Sequence, residues 1–382
     1  MCTMEPMIPL KRKDGVGTGN RSIVHRVTPT IVVKRVCDKG FWEGIPEESY
    51  DNGEHPFARE LAFYKALNSR QDRCPEIVAC FLALPDYFFL SYCELNRLDL
   101  RYFERQEREV RPSGLHGRLI RVTGYEDIGL VARWVIQVTS ALAYVEKMGF
   151  CHNDIAPRNC LLDRHLNLRL CDFDRATTFG QPVEGVVGPW ARKLIAGPLK
   201  GSYGLCSART EQFATGTLVY YMVYGCEPYE DELGPTEYDS LREVGRRFSR
   251  LEFPDLNRNA VLDKFISSCW HEVFPNMALT AYYIKRAAKD IALEPHVEEV
   301  DCGKGRRDCE RLIRDGLLGS ELALSFQPAW RRYLHFFVAG ARAVWERLVC
   351  LLGRSCRMAV ADHPPSSPPS QPSQQSDDTP PS

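Results

Sequence analysis

The sequence has almost no excess of charge of either sign. Its 382 residues include 49 lysines and arginines against 50 aspartates and glutamates, so the formal net charge is −1. Proteins that bind nucleic acids or anionic membranes through a broad surface usually carry a marked positive excess. The charge balance therefore predicts neither kind of partner.

A signal peptide and a disulfide pattern are also missing. The first residues, MCTMEPMIPLKRKDG, contain charges and no apolar run, which argues against export. The chain has 15 cysteines, but no two of them are spaced as C-x-x-C. In a protein that is not exported, they are expected to be reduced and to pack as small apolar side chains. We therefore expect an intracellular protein, in the cytosol or the nucleus.

What the sequence does contain is a group of polar residues suited to phosphate chemistry, between Cys151 and Ala176. Asn159 follows Asp154 by five residues, and Asp172 follows Asp154 by 18, after two short apolar runs that predict a hairpin. Phosphoryl transfer from Mg-ATP requires one carboxylate to orient a hydroxyl, and a carboxamide and a second carboxylate to hold metal ions. The stretch therefore predicts a phosphotransferase, and an ordinary loop and hairpin is the alternative.

This stretch resembles the catalytic loop and metal-binding strand of the protein kinase superfamily. The resemblance implies that Asp154 is the catalytic base and that Asn159 and Asp172 bind Mg²⁺ beside ATP. It also implies that His152 packs against Phe173 in the hydrophobic interior of the fold.

Upstream, three glycines precede the strand-like run Val32-Val33-Lys34. Glycine lets the backbone approach phosphates without a Cβ atom in the way, although a simple turn is the alternative. The order resembles a kinase glycine-rich loop, with Ser22 in place of the third glycine, followed by the strand that carries the ATP lysine. The implied nucleotide-binding residues are Gly15, Gly17, Gly19, Ser22, Val24, Val32, Lys34, Leu90, Tyr92, Cys93, Asn159 and Leu162.

Glu60 is the implied partner of Lys34. It lies in the segment from His55 to Leu67, where a proline in the first turn and apolar residues at helical spacing predict a helix. The alternative is an exposed helical carboxylate near Arg59. Together with Asp154 and Arg158, the resemblance makes Lys34 and Glu60 the candidate catalytic residues.

The fold implied by the resemblance is α+β and bilobal, with an antiparallel sheet and one main helix in the small lobe and a mostly helical large lobe. The implied boundaries are a flexible N-terminus at 1–12, a small lobe at 13–93, a large lobe at 94–292, a helical extension at 293–360 and a disordered tail at 361–382. Further predicted elements are strands at Ile77–Leu84 and Tyr87–Cys93, a short helix at Leu98–Glu107, an exposed loop at Arg108–Tyr125 and a long helix at Glu126–Met148.

Three residues depart from the kinase pattern. Asn153 replaces the arginine that binds an activation-segment phosphate, so phosphorylation of that segment is not expected to control activity. Asp174 replaces a glycine and adds negative charge beside the metal-binding residues, where it either strengthens divalent binding or points to solvent. Ala156 replaces a loop lysine, and Arg158 supplies a cation nearby, where it is expected to meet the transferred phosphate.

The activation segment, from Arg175 to Thr210, does not end in Ala-Pro-Glu. No Arg-Pro follows Cys269-Trp270 either, so both members of a charged pair found in typical kinases are missing together. Glu211 stands where an aspartate usually braces the catalytic loop. These features resemble the divergent kinase-like proteins of filamentous fungi.

The C-terminal part predicts two more helices, Cys302–Leu324 and Pro328–Leu352. Arg342, Glu346 and Arg347 interrupt the second one, so no transmembrane span is predicted. Its apolar face is expected to pack on the large lobe or to bind a partner or a membrane surface. The Pro- and Ser-rich end cannot form a core.

The leading hypothesis is an ATP- and Mg²⁺-dependent protein kinase that acts on Ser or Thr hydroxyls, with Tyr as the alternative, of a protein substrate that the sequence does not identify. A second hypothesis is a small-molecule phosphotransferase of the aminoglycoside or choline kinase type, which the long activation segment disfavours. A third is a pseudokinase scaffold, for which Asp174, Ser22 and Glu211 are the main arguments.

Overall fold

The structure of the protein is a computed structural model that describes residues 15–19, 22–36, 55–110, 116–184, 189–233 and 238–333, with four single positions between 337 and 345. The predicted flexible N-terminus, the loop at 41–52, most of the helix at 328–352 and the tail at 361–382 lie outside the described residues. The chain forms two units, one of residues 10–311 and one that includes the residues from Leu312 onward.

The small lobe is built on one antiparallel sheet of five strands. Their order is β1-β2-β3-β5-β4, so the sheet neighbours are mostly successive segments of the chain. The strand predicted to carry Lys34 and the two strands predicted at 77–84 and 87–93 are therefore confirmed, the latter two in shorter form. The strands are β1 Gly15–Thr18, β2 Ser22–Arg26, β3 Ile31–Val36, β4 Cys80–Leu84 and β5 Tyr87–Ser91.

Helix α1, Ala58–Asn68, is the main helix of the small lobe. It begins three residues later than predicted, and Pro56 precedes it rather than occupying its first turn. Glu60, Phe63 and Leu67 are buried at the spacing of one helical face. The alternative of an exposed carboxylate is therefore wrong, because Glu60 has no solvent exposure.

The large lobe is mostly helical, as predicted. Its core is formed by α3, Ile128–Lys147, and α4, Ala208–Tyr224, which begins at a Ser207–Thr210 capping box and ends at Gly225 in the left-handed conformation. Around them lie α2 Leu98–Phe103, α5 Glu230–Leu233, α6 Tyr238–Ser249, α7 Ala260–Trp270 and α8 Met277–Ala287. The short strands are β8 Phe150–Cys151, β9 Cys160–Leu162, β10 Leu168–Leu170 and β11 Thr177–Thr178.

Helix α3 is the one helix of the described ranges that is long and apolar enough to cross a membrane. Most of that stretch, 72%, is buried inside the protein, as is usual for the core helix of a globular domain. The predicted N-terminus of this helix is corrected. Asp127 is its N-cap, while Glu126 lies before it and pairs with Arg101 and Arg105.

The loop predicted for Arg108–Tyr125 is wrong. The chain forms an antiparallel hairpin there, β6 Gln106–Val110 and β7 His116–Val122, with two irregular positions in its register. Tertiary contacts stabilise it, since Gln106 bonds the carbonyl of Gly225 and Arg108 pairs with Glu230 at 2.5 Å. Those partners lie more than 100 residues away in the chain, so local sequence could not reveal them.

The predicted helix Cys302–Leu324 is interrupted. The structure has α9, Cys302–Arg314, and α10, Ser320–Ser325. Gly316 and Gly319 between them have φ values of 94° and 95°, a region that helix-forming residues with a Cβ atom rarely enter. Two glycines therefore end one helix and separate it from the next.

The eleven cysteines among the described residues are free thiols, eight of them buried and three half-buried. Burial raises the pKa of the thiols of Cys93 and Cys226 to about 12. Thiols of this kind are protonated and unreactive at neutral pH. The prediction of reduced, packed cysteines is confirmed for this part of the chain.

The charged pair that typical kinases have at the end of the activation segment is missing from its usual positions, but a different charged pair lies there. Glu272 pairs there with Arg192 and with Arg209, the latter at 3.3 Å. Glu272 follows Trp270, and both arginines lie in the activation segment. The negative charge is thus in the region where typical kinases have the arginine, and the positive charges are in the segment where they have the glutamate. Its three side chains are 13–24% exposed, so the charges are largely removed from water.

We expect Glu272→Gln to lower the free energy of unfolding by about 2 kcal/mol, because two partly buried guanidinium groups lose their counter-ion. Urea denaturation at neutral pH measures this change. Glu243→Gln is the matched control, since Glu243 also pairs with two arginines, both on its own helix α6, and one of them, Arg246, is 61% exposed. Equal losses in the two variants would contradict a structural role for the Glu272 cluster.

Candidate active site

The catalytic loop brings Asp154, Arg158 and Asn159 together. Asn159 donates from Nδ2 to the backbone oxygen and to Oδ2 of Asp154, at 2.7 and 2.8 Å. Arg158 donates from Nη2 to Oδ1 of Asp154 at 2.5 Å, although its own side chain is 48% exposed. Both oxygens of the candidate base are therefore engaged, one by a buried carboxamide and one by a cation that is free to move into solvent.

Hydrogen bonds from the backbone of this loop to Glu211 of α4 hold the loop in place. Oxygens of Glu211 accept hydrogen bonds from the backbone N–H groups of His152 and Asn153, at 2.7 and 3.0 Å. Asn153 adopts a φ of 60°, which costs energy in a residue with a side chain unless its surroundings enforce it. Glu211 supplies that enforcement, which is the bracing role predicted for it.

A stack of rings connects this loop to the small lobe. The ring of His152 contacts Phe173 at 4.8 Å between centroids, as predicted, and Phe173 stacks on Phe63 of α1 at 3.7 Å. Sequence analysis missed Phe63, although its position three residues after Glu60 places it on the same helical face. The stack fixes the distance between α1 and the metal-binding strand.

Lys34 joins two carboxylates across the cleft. Its Nζ lies 2.7 Å from Oε2 of Glu60 and 2.6 Å from Oδ1 of Asp172. Burial raises the pKa of Glu60 to about 7, although Lys34 opposes that change. Burial would also raise the pKa of Asp172, but the ammonium of Lys34 holds it below its usual value. Lys34 itself is held above its usual pKa by the two acids, against the effect of its burial.

The two predicted metal ligands offer a set of oxygen atoms that suits Mg²⁺. Asn159 uses its Nδ2 on Asp154, which leaves Oδ1 as a ligand, and Asp172 uses one oxygen on Lys34, which leaves the other. Mg²⁺ prefers such oxygens and commonly completes its shell with phosphate oxygens and water. Among the described residues no group of three or more His, Cys, Asp or Glu could hold a metal alone. Asn159 and Asp172 would therefore hold the ion together with the nucleotide.

Asp174 stays close to these groups although its side chain is exposed. Partial desolvation, and then the negative charge of Asp172, raise the pKa of the Asp174 carboxyl to about 6, with Asp154 contributing as well. The two possibilities left open by the sequence are thus not exclusive. The carboxylate of Asp174 is in contact with solvent, and the charge of the metal-binding Asp172 also acts on it.

The predicted nucleotide-binding residues of the sheet share one face. Val24 lies opposite Lys34, and Val32 lies opposite Leu90, in the strand register. Because residues two apart on one strand point the same way, these four side chains line the same side of the sheet. Leu162 is buried, and its backbone exchanges two hydrogen bonds with residues 95 and 96 just after the hinge segment Ser91–Cys93.

The other predicted nucleotide contacts differ in what they offer. Gly15 and Gly17 are in β1, and Gly19 donates to the carbonyl of Ser22 at 2.8 Å. Ser22 is buried. Arg26 covers the ring of Tyr92, which leaves the backbone of the hinge as the part suited to adenine. Cys93 is buried beside it.

Asn153 has a specific partner in the activation segment. Its Nδ2 donates to the carbonyl of Arg175 at 3.3 Å. Further along, Gly180 donates to Cys206 and Cys206 donates to Gln181, which joins the two ends of the segment by backbone hydrogen bonds. The described residues of the segment are thus connected to the catalytic loop and to each other by hydrogen bonds of amides and carbonyls.

We therefore expect phosphatase treatment to leave the rate of phosphoryl transfer nearly unchanged, and Thr178→Ala to do the same. Thr178 is an exposed hydroxyl in this segment, whereas Ser207 and Thr210 already cap α4. The initial rate is measured before and after treatment, with mass spectrometry to establish that phosphate has been removed. A large fall in rate relative to a mock-treated sample would contradict the expectation.

Comparison with known proteins agrees with this geometry. The model of the family described as "Protein kinase domain" matches residues 11–282. Citron Rho-interacting kinase from Homo sapiens is 28% identical over 158 residues, which are 38% of this chain and 8% of that protein. Serine/threonine-protein kinase LMTK3 from Mus musculus is 26% identical over 160 residues, 39% of this chain and 11% of that protein.

Tyrosine-protein kinase HTK16 from Hydra vulgaris is 26% identical over 174 residues, which are 44% of this chain and 21% of that protein. The match thus spans about a fifth or less of the length of these relatives. The family model, in contrast, covers well over half of the present chain, from the glycine-rich strands to α8. The chain belongs to the protein kinase domain family.

Proposed function

We propose that the protein is an active protein kinase that transfers the γ-phosphoryl group of ATP, with Mg²⁺, to a hydroxyl group of a protein. The observation that carries the proposal is the position of Lys34, which bridges Glu60 and Asp172 opposite the Asp154–Asn159 pair. A decayed site would have no reason to retain a buried cation held by two acids, since such a pair is costly to desolvate.

The side chains have separate tasks in this proposal. Asp154 orients the substrate hydroxyl and accepts its proton, and Asn159 keeps the carboxylate of Asp154 in place. Lys34 binds the α- and β-phosphates, while Glu60 holds its ammonium in position. Asn159 and Asp172 hold Mg²⁺, which neutralises charge on the phosphates when it is bound. Arg158 leaves Asp154 to meet the transferred phosphate.

The test is transfer of ³²P from γ-labelled ATP to a generic protein substrate, with the wild type and Asp154→Ala side by side. The proposal requires incorporation by the wild type that depends on added Mg²⁺ and is lost in the variant. Equal incorporation by both proteins would reject catalysis at this site. Acid hydrolysis of the labelled product then separates phosphoserine, phosphothreonine and phosphotyrosine.

A pseudokinase is the second candidate. It is favoured by the engagement of both oxygens of Asp154, by Arg158 and Asn159, because a substrate hydroxyl would have to share or displace one of these hydrogen bonds. It predicts that nucleotide raises the stability without turnover, by about 2.7 kcal/mol at one hundred times Kd. Turnover by the wild type would exclude it.

The remaining expectations concern the setting of the reaction. We propose an intracellular site of action, in the cytosol or nucleus, and a protein substrate without nucleic acid as a partner. We also propose that the chain is one of the divergent kinase-like proteins found in filamentous fungi. The helix around 328–352 is proposed as a packing or partner surface.

A further inference from the structure

The chain continues past α8 along the large lobe in a strap, defined as residues Leu293–Asp301. The strap has no regular secondary structure, yet its backbone is bonded to the large lobe at three successive points. The three bonds are Leu293 N–H to Gly129 O at 3.0 Å, Arg133 Nη1 to Glu294 O at 3.1 Å, and Asn167 Nδ2 to His296 O at 2.8 Å.

These bonds involve buried donors of the large lobe. Arg133 and Asn167 are 8% and 1% exposed, and both also hold the turn between β9 and β10. The strap therefore satisfies donors that would otherwise lack part of their hydrogen bonding. An exposed ion pair, Arg164 to Glu298 at 2.5 Å, adds a fourth contact at the same turn.

Helix α9 then brings the chain to the small lobe. Gly305 and Cys309, one helical turn apart, are its buried positions within the unit of residues 10–311. A Cβ atom at position 305 would collide with the ring of Phe81 in β4. The absence of a side chain at Gly305 thus allows the helix to lie directly against the sheet.

The strap and α9 lie close to the joint between the lobes. At that joint Val78 donates to the carbonyl of Leu170 at 3.0 Å, and Leu170 donates to Glu76 at 2.7 Å. Asn167, which binds the strap, is three residues before Leu170, and Phe81, which contacts α9, is three residues after Val78. The segment from 293 to 311 therefore contacts both lobes, in each case three residues along the chain from a partner of the joint.

We propose that the strap and α9 are a positioning element for the kinase reaction. They form a second tether between the lobes, beside the hinge, and hold the sheet that carries Lys34 over the catalytic loop. Domain closure in enzymes of two lobes is a rotation about a few flexible residues. A second tether restricts that rotation and keeps a larger fraction of molecules in the arrangement that binds nucleotide.

The test uses two glycines of the same helix. Gly305→Ala places a methyl group against Phe81, whereas in Gly303→Ala the new atom would meet only the flexible ends of Asp301 and Arg307, at 3.3 and 3.4 Å. The affinity of each purified full-length protein for the fluorescent nucleotide TNP-ATP is measured by titration. Gly305→Ala is expected to raise Kd about tenfold, because the apparent Kd is inversely proportional to the fraction of molecules that remain closed. Gly303→Ala is expected to leave Kd unchanged.

Two further readouts separate positioning from a loss of folded protein. The KM for ATP should rise with Kd in Gly305→Ala while kcat changes little, since the catalytic groups themselves are intact. Phe81→Leu in the same background replaces the ring with a smaller side chain, which makes room for the new methyl group and should restore Kd toward the wild-type value. Equal Kd values for the two glycine variants would overturn the proposal, as would a Kd that Phe81→Leu does not improve.

An exposed pair provides the same test if Gly305→Ala reduces the yield of folded protein. Glu298→Arg creates repulsion with Arg164 and should raise Kd, and the double variant Arg164→Glu, Glu298→Arg should restore it. Failure of the repulsive variant to change Kd overturns the proposal.

The inference rests on the proposed function for the choice of nucleotide. A wild type that binds none contradicts that function, whereas equal affinities of the variants contradict the tether alone.

Discussion

Asp154→Asn is expected to lower kcat for phosphoryl transfer by about 10²–10⁴-fold, the usual contribution of a positioned general base. The amide keeps the shape of the carboxylate and can still contact Asn159, but it cannot accept a proton from the substrate. The Kd for nucleotide should stay the same, because Asp154 touches the substrate side of the cleft. Steady-state kinetics and TNP-ATP titration measure the two quantities.

Asp290→Asn is the control for this substitution, since that carboxylate is 84% exposed and pairs with the neighbouring Lys289. It should match the wild type in both measurements. A variant of Asp154 that retained the wild-type kcat would show that another group serves as base, or that transfer occurs elsewhere. Loss of nucleotide affinity together with rate would instead indicate a disturbed fold.

Lys34→Met is expected to lower kcat by about 10²–10³-fold, the effect of removing one group that stabilises charge in the transition state. It also leaves the buried carboxylate of Glu60 without a cation, since Oε2 loses its partner Lys34 and Oε1 has no hydrogen-bond partner among the described residues. Breaking a buried pair from one side costs about 3–5 kcal/mol when the remaining group keeps its charge. Protonation of Glu60 reduces that loss.

The pH dependence follows from the pKa of Glu60, which burial raises from 4.5 to about 7 even with Lys34 present. The folded protein then holds a proton that the unfolded chain releases, so this group destabilises the fold as pH rises from 4.5 through 7. In Lys34→Met, which lacks the opposing cation, the loss should be greater at pH 8 than at pH 6. Urea denaturation at both pH values measures it.

The double variant Lys34→Met, Glu60→Gln distinguishes stability from catalysis. It removes the uncompensated carboxylate, so the pH-dependent part of the loss should disappear, while activity should remain as low as in the single variant. Recovery of activity in the double variant would contradict the role of Lys34 at the phosphates. A single variant whose stability did not depend on pH would contradict the account of Glu60.

Several features could be read from sequence because they depend on local chemistry. The spacing of Asp154, Asn159 and Asp172 lies within one loop and hairpin, and the structure has that hairpin as β9 and β10. Ser207 and Gly225 mark the ends of α4 through hydrogen bonds that span one turn. Such signals do not require knowledge of distant partners.

Other features depended on residues far apart in the chain. The β6–β7 hairpin is polar and contains Arg108, and its partner Glu230 lies 122 residues later. The carboxylate of Glu272 pairs with arginines 63 and 80 residues earlier, although neither the arginines nor the acid occupy the positions typical of kinases. A pattern search for the usual positions therefore reported an absence where the tertiary structure has a charge pair.

The sequence by itself determined that this chain belongs to the protein kinase domain family, and which residues carry the charges of its candidate active site. Those residues are set by the chemistry of phosphate and by short spacings along the backbone. Only the tertiary structure decided what holds the two lobes and the activation segment in place. Lys34 meets Asp172 across 138 residues, and Gly305 meets Phe81 through packing of a helix on a strand. Contacts of this kind follow from the path of the whole chain, because closing long loops is compensated only when many segments pack at once.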